Sequence, residues 1–117
     1  MWKKSHKFVL EIYKISALFP KDELYGLTSQ IRRASVSIPA NIAEGFSRRT
    51  NLNKTQFYNI AQSSLQEVKY YLILMQDLGF VSSNFTHKKL WDMSEEIGKM
   101  LHGLKDSIER NETIKES

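Results

Sequence analysis

The sequence contains no cysteine, only two prolines and five glycines among 117 residues, and no long apolar run. Without cysteine, the chain can form neither a disulfide framework nor a thiolate zinc site. Its apolar runs fall short of the roughly 18 residues that span a membrane, and its lysine-rich N-terminus does not resemble a signal peptide. No segment alternates cleanly with a period of two. We therefore expect a cytoplasmic, all-α protein with one domain over residues 1–110 and a polar, frayed tail over 111–117.

Apolar residues recur at helical spacing in four segments, which predicts helices over about 2–19, 22–49, 50–78 and 83–110. Asp22, Thr50 and Ser83 are suitable N-caps for the last three helices, and Gly79 suits the position after a helix end. The connecting loops are short, so we expect an antiparallel up-and-down four-helix bundle. The residues predicted to face the core are Phe8, Val9, Ile12, Ile15, Ser16 and Phe19; Leu24, Leu27, Ile31, Ala34, Ser35, Ile38, Ile42, Gly45 and Phe46; Phe57, Ile60, Ala61, Ser64, Leu65, Val68, Tyr71, Leu72 and Met75; and Leu90, Met93, Ile97, Met100, Leu101, Leu104 and Ile108.

The second predicted helix contains Pro39 in its interior. A proline there removes the hydrogen bond to the carbonyl of Ser35 and costs about 3 kcal/mol. We expect either a kink just before Pro39 or two abutting helices, and the kink is favoured because the apolar repeat continues without slipping. The side chains of Ser35, Ser37 and Asn41 are expected to bond to the polar groups that the proline frees. The alternative is that Asn41 and Glu44 belong to a binding site.

A second non-polar side of this helix is lined by small or slender residues, which would let another helix backbone approach closely. The third helix also carries apolar residues away from its core-facing side. Large non-polar surfaces seldom stay uncovered, so we expect an interface between copies of the chain. The alternative is a bland, alanine-rich exposed face. The expected interface residues are Val36, Ala40, Ala43 and Ser47 in the second helix and Tyr70, Ile73 and Leu74 in the third.

Catalytic, metal and cofactor sites have little support in the sequence. The three histidines, His6, His87 and His102, have no acidic residue three positions before them, so the Glu-x-x-His pairs of di-iron bundles are absent. No HExxH motif and no phosphate-cradling glycine loop occurs. We expect no metal, no cofactor and no enzymatic activity, while a triad assembled only by the fold stays an open alternative.

Positive charge is concentrated in the first half of the chain. Residues 1–60 hold ten lysines and arginines against four acidic residues, whereas residues 61–117 hold seven against nine. The planar guanidinium group of arginine can bind phosphate through two parallel hydrogen bonds, so we expect a basic face that binds RNA or DNA. Glu44 lies four residues before Arg48 and is expected to form a partial ion pair with it. A merely solubilising surface is the alternative. The expected nucleic-acid-binding residues are Lys3, Lys4, Lys7, Arg32, Arg33, Arg48, Arg49 and Lys54.

Two runs in the second helix, LYGLTSQIRRA at 24–34 and SIPANIAEG at 37–45, resemble the signature of the 23S rRNA-intervening-sequence proteins, also called S23 ribosomal proteins. The runs NIA at 59–61 and EIGKML at 96–101 are similar to that family's later helices. The resemblance covers about residues 2–110. It departs from the pattern at Ser47, Asn53 and Lys54, which bears on phosphate contacts there rather than on the fold.

The resemblance implies an up-and-down four-helix bundle that assembles into a homopentameric ring with a basic face. It also implies a relation to the accessory variability determinant of diversity-generating retroelements, which binds a reverse transcriptase and nucleic acid. Two functional hypotheses follow. The first is a homo-oligomeric accessory protein that binds nucleic acid, and the second is a scaffold that docks a protein partner, such as a reverse transcriptase, without touching nucleic acid.

Overall fold

A computed structural model describes the backbone of residues 2–116 and the side chains of residues 2–110. Its helices are α1 (Trp2–Ser16), α2 (Leu27–Ser47), α3 (Asn51–Asp77) and α4 (Asn84–Glu116), with a 3₁₀ turn at Lys21–Glu23 before α2. Residues 2–116 contain no strand, so the all-α prediction is confirmed. The α4 backbone continues beyond the expected end near residue 110, and the side chains of the predicted polar tail lie outside the described residues.

The four helices form the predicted antiparallel bundle. Helix α2 packs along both α1 and α3, and α4 closes the bundle against α3 and α1. The pair Lys69–Glu95, at 2.8 Å, joins α3 to α4, and the pair Lys89–Glu11, at 3.5 Å, joins α4 to α1. These ion pairs at the bundle surface help to align neighbouring helices but contribute little to stability compared with the core.

The core is formed by the heptad-like stripes that the sequence predicts. In α3 the buried residues are spaced three and four apart throughout, which is the repeat of a helix packed at a shallow angle in a bundle. The largest fully buried side chains come from all four helices, so one continuous core runs through the bundle. They are Phe8, Ile12, Ile31, Ile38, Ile42, Tyr58, Leu65, Leu72, Met75, Leu90, Ile97 and Leu101.

The structure corrects the predicted core at particular positions. The apolar pattern predicts that Ile60 lies in the core, but its side chain is about half exposed, whereas Tyr58 is only 2% exposed. Tyr58 fits because Gly45 of α2 has no side chain, and a Cβ on Gly45 would clash with the Tyr58 ring. Leu24 and Phe46, at the two ends of the predicted α2 stripe, are also about half exposed. Because Tyr58 is buried and Ile60 is not, the buried stripe of α3 is rotated slightly from its predicted position.

The predicted caps of α3 and α4 are confirmed. Thr50 Oγ1 accepts a hydrogen bond from the Asn53 N–H at 3.1 Å, and Ser83 Oγ accepts one from the Thr86 N–H at 3.2 Å. Gly79, with φ of 74°, follows the end of α3 as predicted, a conformation that glycine adopts at little cost.

The start of α2 differs from the prediction, which used Asp22 as the N-cap. The chain first forms the 3₁₀ turn, and α2 begins only at Leu27. The Glu23 carboxylate accepts a hydrogen bond from the Leu27 N–H at 2.9 Å, so a carboxylate four residues upstream satisfies that helix-end donor. Helix α1 likewise ends at Ser16, and the chain reaches the buried Phe19 through a turn.

Helix α2 is continuous through Pro39, which excludes two separate abutting helices. Asn41 Nδ2 donates to the Ser37 carbonyl at 2.8 Å and to Ser37 Oγ at 2.9 Å. The Ser35 hydroxyl donates to the Arg32 carbonyl at 3.0 Å. These side chains therefore bond to carbonyls other than the Ser35 carbonyl that the proline leaves without its helical partner. The kink itself stays a prediction.

Candidate nucleic-acid interface and docking surfaces

Arg32, one of the predicted phosphate-binding residues, is held by α1. Its Nε donates to Ser16 Oγ at 2.8 Å and an Nη donates to the Tyr13 carbonyl at 3.3 Å. Its guanidinium carbon also lies 4.6 Å from the centre of the Tyr13 ring. These contacts tie the last turn of α1 to α2, and the Tyr13 carbonyl accepts the arginine in addition to the Ala17 N–H. Arg32 therefore has a structural role that the local sequence does not reveal.

Two further predicted cations also have firm partners within the chain. Arg48 donates to Glu44 at 2.8 Å, as the four-residue spacing predicts, and stacks over the Phe57 ring. Lys54 Nζ donates to the carbonyls of Gly45 and Phe46 at 3.2 and 3.1 Å, at the C-terminal end of α2. There the ammonium group complements the partial negative charge of the helix end.

Lys4 lies 3.6 Å from Glu96, and both side chains are largely exposed. An ion pair of this kind is weak and can be exchanged for a phosphate contact at little cost. Lys4 is therefore held less firmly by contacts within the chain than Arg32 or Lys54 is, and it is more available to a phosphate.

The remaining predicted cations are exposed and make no hydrogen bond or ion pair with the part of the chain that the structure describes. They are Lys3, Lys7, Arg33 and Arg49. Arg33 and Arg49 are 16 residues apart, so along a helix they would be separated by about 24 Å at 1.5 Å per residue. The arginines thus form two groups on one subunit rather than a single patch.

The predicted interface residues are mostly on the surface. Val36, Tyr70 and Ile73 are 41, 58 and 45% exposed, and Ala40, Ala43 and Ser47 are exposed along the outer side of α2. Leu74 is instead half buried and packs against the core. Apolar side chains of this size on a surface are candidates for contact with another protein.

The α2 and α3 residues of this set face different sides of the bundle. Val36 lines a cavity between α1 and α2, whereas Ile73 lines a cavity of about 400 Å³ between α3 and α4 that also includes His87 and Trp91. If the α2 set of one copy contacts the α3 set of the next, the contact joins two unlike surfaces. Such a heterologous contact closes into a ring or continues as a filament.

The cavity between α1 and α2 has a volume of about 590 Å³ and combines aromatic with cationic groups. We call it the tyrosine–arginine pocket, after Tyr13, Tyr25, Arg32 and Arg33 in its wall. Its other lining residues are Leu24, Thr28, Ser29, Val36 and Ser37. The arginines are candidates from sequence, but the two tyrosines are not, because only the fold brings Tyr13 of α1 beside α2.

No constellation for metal or acid–base chemistry is evident in the described residues. They contain no group of three or more His, Cys, Asp or Glu side chains that could hold a metal ion. Burial raises the pKa of the Tyr71 phenol, and its hydrogen bond to Glu67, at 2.8 Å, raises that pKa further. The α-helices of the described chain also include none that is long and apolar enough to cross a membrane.

Comparison with known proteins shows which structures and which family this chain is similar to. No curated protein matches the sequence. Among solved structures, a protein of unknown function from the S23 ribosomal protein family of Bacteroides thetaiotaomicron superposes with a TM-score of 0.81 at 24% identity, covering 89% of this chain and 96% of that one. This likeness confirms the helical bundle. The sequence profile of the 23S rRNA-intervening sequence proteins matches residues 1–103, and the chain therefore belongs to the 23S rRNA-intervening sequence protein family.

Proposed function

We propose that the protein is a non-enzymatic, self-associating accessory protein that binds RNA or DNA through phosphate contacts. The observation that carries this proposal is that Arg33 and Arg49, with Lys3 and Lys7, are exposed and unpaired within the described chain. A guanidinium group without a carboxylate partner is free to bind a phosphate in its fork. The sequence carries a net charge of +4, which favours association with a polyanion.

Self-association would compensate for the small number of free cations on each subunit. A few phosphate contacts give weak binding, but repeating them on several subunits of one assembly multiplies the effective affinity. The unlike apolar surfaces beside Val36 and Ile73 are compatible with a ring, because a heterologous contact between them forms a ring when its rotation closes. The homopentamer implied by the family resemblance is one such ring.

The proposal is tested by measuring RNA binding as a function of salt. We expect weak, sequence-independent binding that falls steeply as salt rises, because each phosphate contact releases condensed counterions. Arg33→Gln and Arg49→Gln should each reduce the logarithmic salt slope on single strands by about 0.7 for every phosphate that the arginine neutralises.

Arg48→Gln is the matched control, because Arg48 is paired with Glu44 and covers Phe57. It should change the salt slope less than Arg49→Gln. Absence of binding at low salt, or binding that does not respond to salt, would contradict the proposal.

The second candidate function is a scaffold that docks a protein partner without touching nucleic acid. It is favoured by the exposed Tyr70 and Ile73 on α3, the latter beside the α3–α4 cavity, since aromatic side chains commonly anchor protein interfaces. In a pull-down with a candidate partner, such as a reverse transcriptase, Ile73→Glu should then abolish capture. Arg33→Gln should leave capture intact.

A further inference from the structure

We propose that the tyrosine–arginine pocket receives one unstacked nucleotide of a single-stranded nucleic acid, with the base on the Tyr25 ring and the phosphate at Arg33. This inference rests on the proposed function and deepens it, since it names both the site and the form of nucleic acid that is bound. It predicts a preference for single strands that phosphate contacts alone would not produce.

Tyr25 is the aromatic surface available in this pocket. Its side chain is 91% exposed, and no ring or cation of the described residues stacks on it. Tyr13, in contrast, is already covered by the Arg32 guanidinium. An exposed ring beside a cation is the arrangement that single-strand binding proteins use, because every base offers a π face.

The two arginines divide the work in the pocket. Arg32 is fixed by Ser16 and by the Tyr13 carbonyl, so it forms a rigid wall that carries positive charge. Arg33 is exposed and unpaired within the described chain, so its fork can bind a phosphate.

The lining contains two arginines and no acidic residue. The field inside the pocket therefore favours an anion. The hydroxyl groups of Thr28 and Ser29 line the same space and can act as donors or acceptors toward a base edge.

The site suits a single strand rather than a duplex. The space of about 590 Å³ beside these side chains is open to solvent, so a base on a flexible strand can enter it from outside. In a duplex every base is stacked and paired, so no base can reach Tyr25 without being flipped out. Single strands present unstacked bases, which proteins recognise by stacking them on aromatic side chains.

The test compares a short labelled oligouridine with duplex RNA of equal length, by fluorescence anisotropy at low salt. Tyr25→Ala should weaken oligouridine binding roughly tenfold or more and leave the salt slope unchanged, because the substitution removes base stacking and leaves the phosphate contacts in place. Tyr25→Phe should retain wild-type binding. Phe85→Ala is the matched control, since Phe85 is also an exposed ring but lies in a groove where Lys88 and Lys89 are balanced by Asp92 and Glu96.

The outcomes separate this inference from the proposed function. If the wild type binds neither RNA, the proposed function fails and the pocket proposal fails with it. If the wild type binds both RNAs equally and Tyr25→Ala matches it, only the pocket proposal is overturned. If Tyr25→Ala instead lowers the mass of the protein in solution and leaves RNA affinity unchanged, the pocket is a docking site for a second copy and the proposal is wrong. Circular dichroism should show unchanged helicity for Tyr25→Ala, because the side chain is almost entirely exposed.

Discussion

Replacing Gly45 by alanine should destabilise the bundle, although alanine is the better helix former. A Cβ on Gly45 would lie 2.8 Å from Cδ1 of Tyr58 and closer still to Cε1, whereas carbon atoms prefer a separation of about 3.5–4.0 Å. Tyr58 is 2% exposed, so its ring cannot simply swing into solvent. Overpacking of a core costs about 1–3 kcal/mol, and the gain in helix propensity offsets up to about 1 kcal/mol of that. We expect a net loss of about 1–2 kcal/mol.

Gly103→Ala is the matched control for this substitution. Gly103 lies inside α4, and a Cβ there would meet no atom within 4 Å. The same chemical change should therefore stabilise the protein by about 0.5–1 kcal/mol, through helix propensity alone. Thermal unfolding followed by circular dichroism should give melting temperatures that move in opposite directions, by roughly 4 °C per kcal/mol for a domain of this size.

A double-mutant cycle shows whether Tyr58 is the cause. In a Tyr58→Leu background the ring is absent, so Gly45→Ala should lose most of its cost. If Gly45→Ala proves as stable as the wild type, or if its cost persists without the Tyr58 ring, the reasoning about this close approach is refuted.

Three smaller predictions concern stability. Arg32→Gln removes the contacts to Ser16 and Tyr13 and should lower the free energy of unfolding in urea by about 1–2 kcal/mol, whereas Arg33→Gln should stay within about 0.5 kcal/mol of the wild type. Thr50→Ala removes the α3 N-cap and should cost about 1 kcal/mol in the same assay; a loss no larger than that of Arg33→Gln would show that the cap is dispensable. Because the Tyr71 pKa is raised in the folded protein above its ordinary value of 10.0, its stabilising contribution is complete below pH 10 and is lost as pH rises through the folded pKa. Tyr71→Phe should therefore make the decline of stability above pH 10 shallower, and an unchanged decline would contradict this assignment.

Much of the fold could be predicted because the apolar residues of each helix show which of its sides is buried. The three-and-four spacing of apolar residues locates the core stripe of every helix, and Thr50, Gly79 and Ser83 act locally, so their roles can be inferred from a few neighbouring positions. Tyr58 was missed for the opposite reason. Its burial depends on a missing side chain at Gly45 on another helix, which the pattern of α3 alone cannot show.

The candidate site was less predictable than the fold, for a similar reason. The pairing of Arg48 with Glu44 follows from a spacing of four residues within one helix. The engagement of Arg32 by Ser16, however, joins residues on separate helices, and so does the grouping of Tyr13 with Arg33 in one pocket. The cations are therefore predictable from sequence, but which of them have partners within the chain depends on contacts between helices.

The relation to the accessory variability determinant, the kink at Pro39 and the self-association of the chain stay predictions. Self-association is the one on which the proposed function depends most, because a single subunit offers few free cations and leaves its apolar surfaces uncovered. Ala40→Glu is the variant that tests it, since Ala40 is exposed on the outer side of α2 and a charge there should not disturb the core.

The most direct test is the mass of the purified protein in solution at micromolar concentration, measured by light scattering. We expect a multiple of the 13.7 kDa chain mass, five-fold for the pentameric ring, and a return toward 13.7 kDa for Ala40→Glu with helicity unchanged. A wild-type mass of 13.7 kDa would contradict self-association, and an oligomer that Ala40→Glu leaves intact would show that the outer side of α2 is not the surface through which the chains assemble.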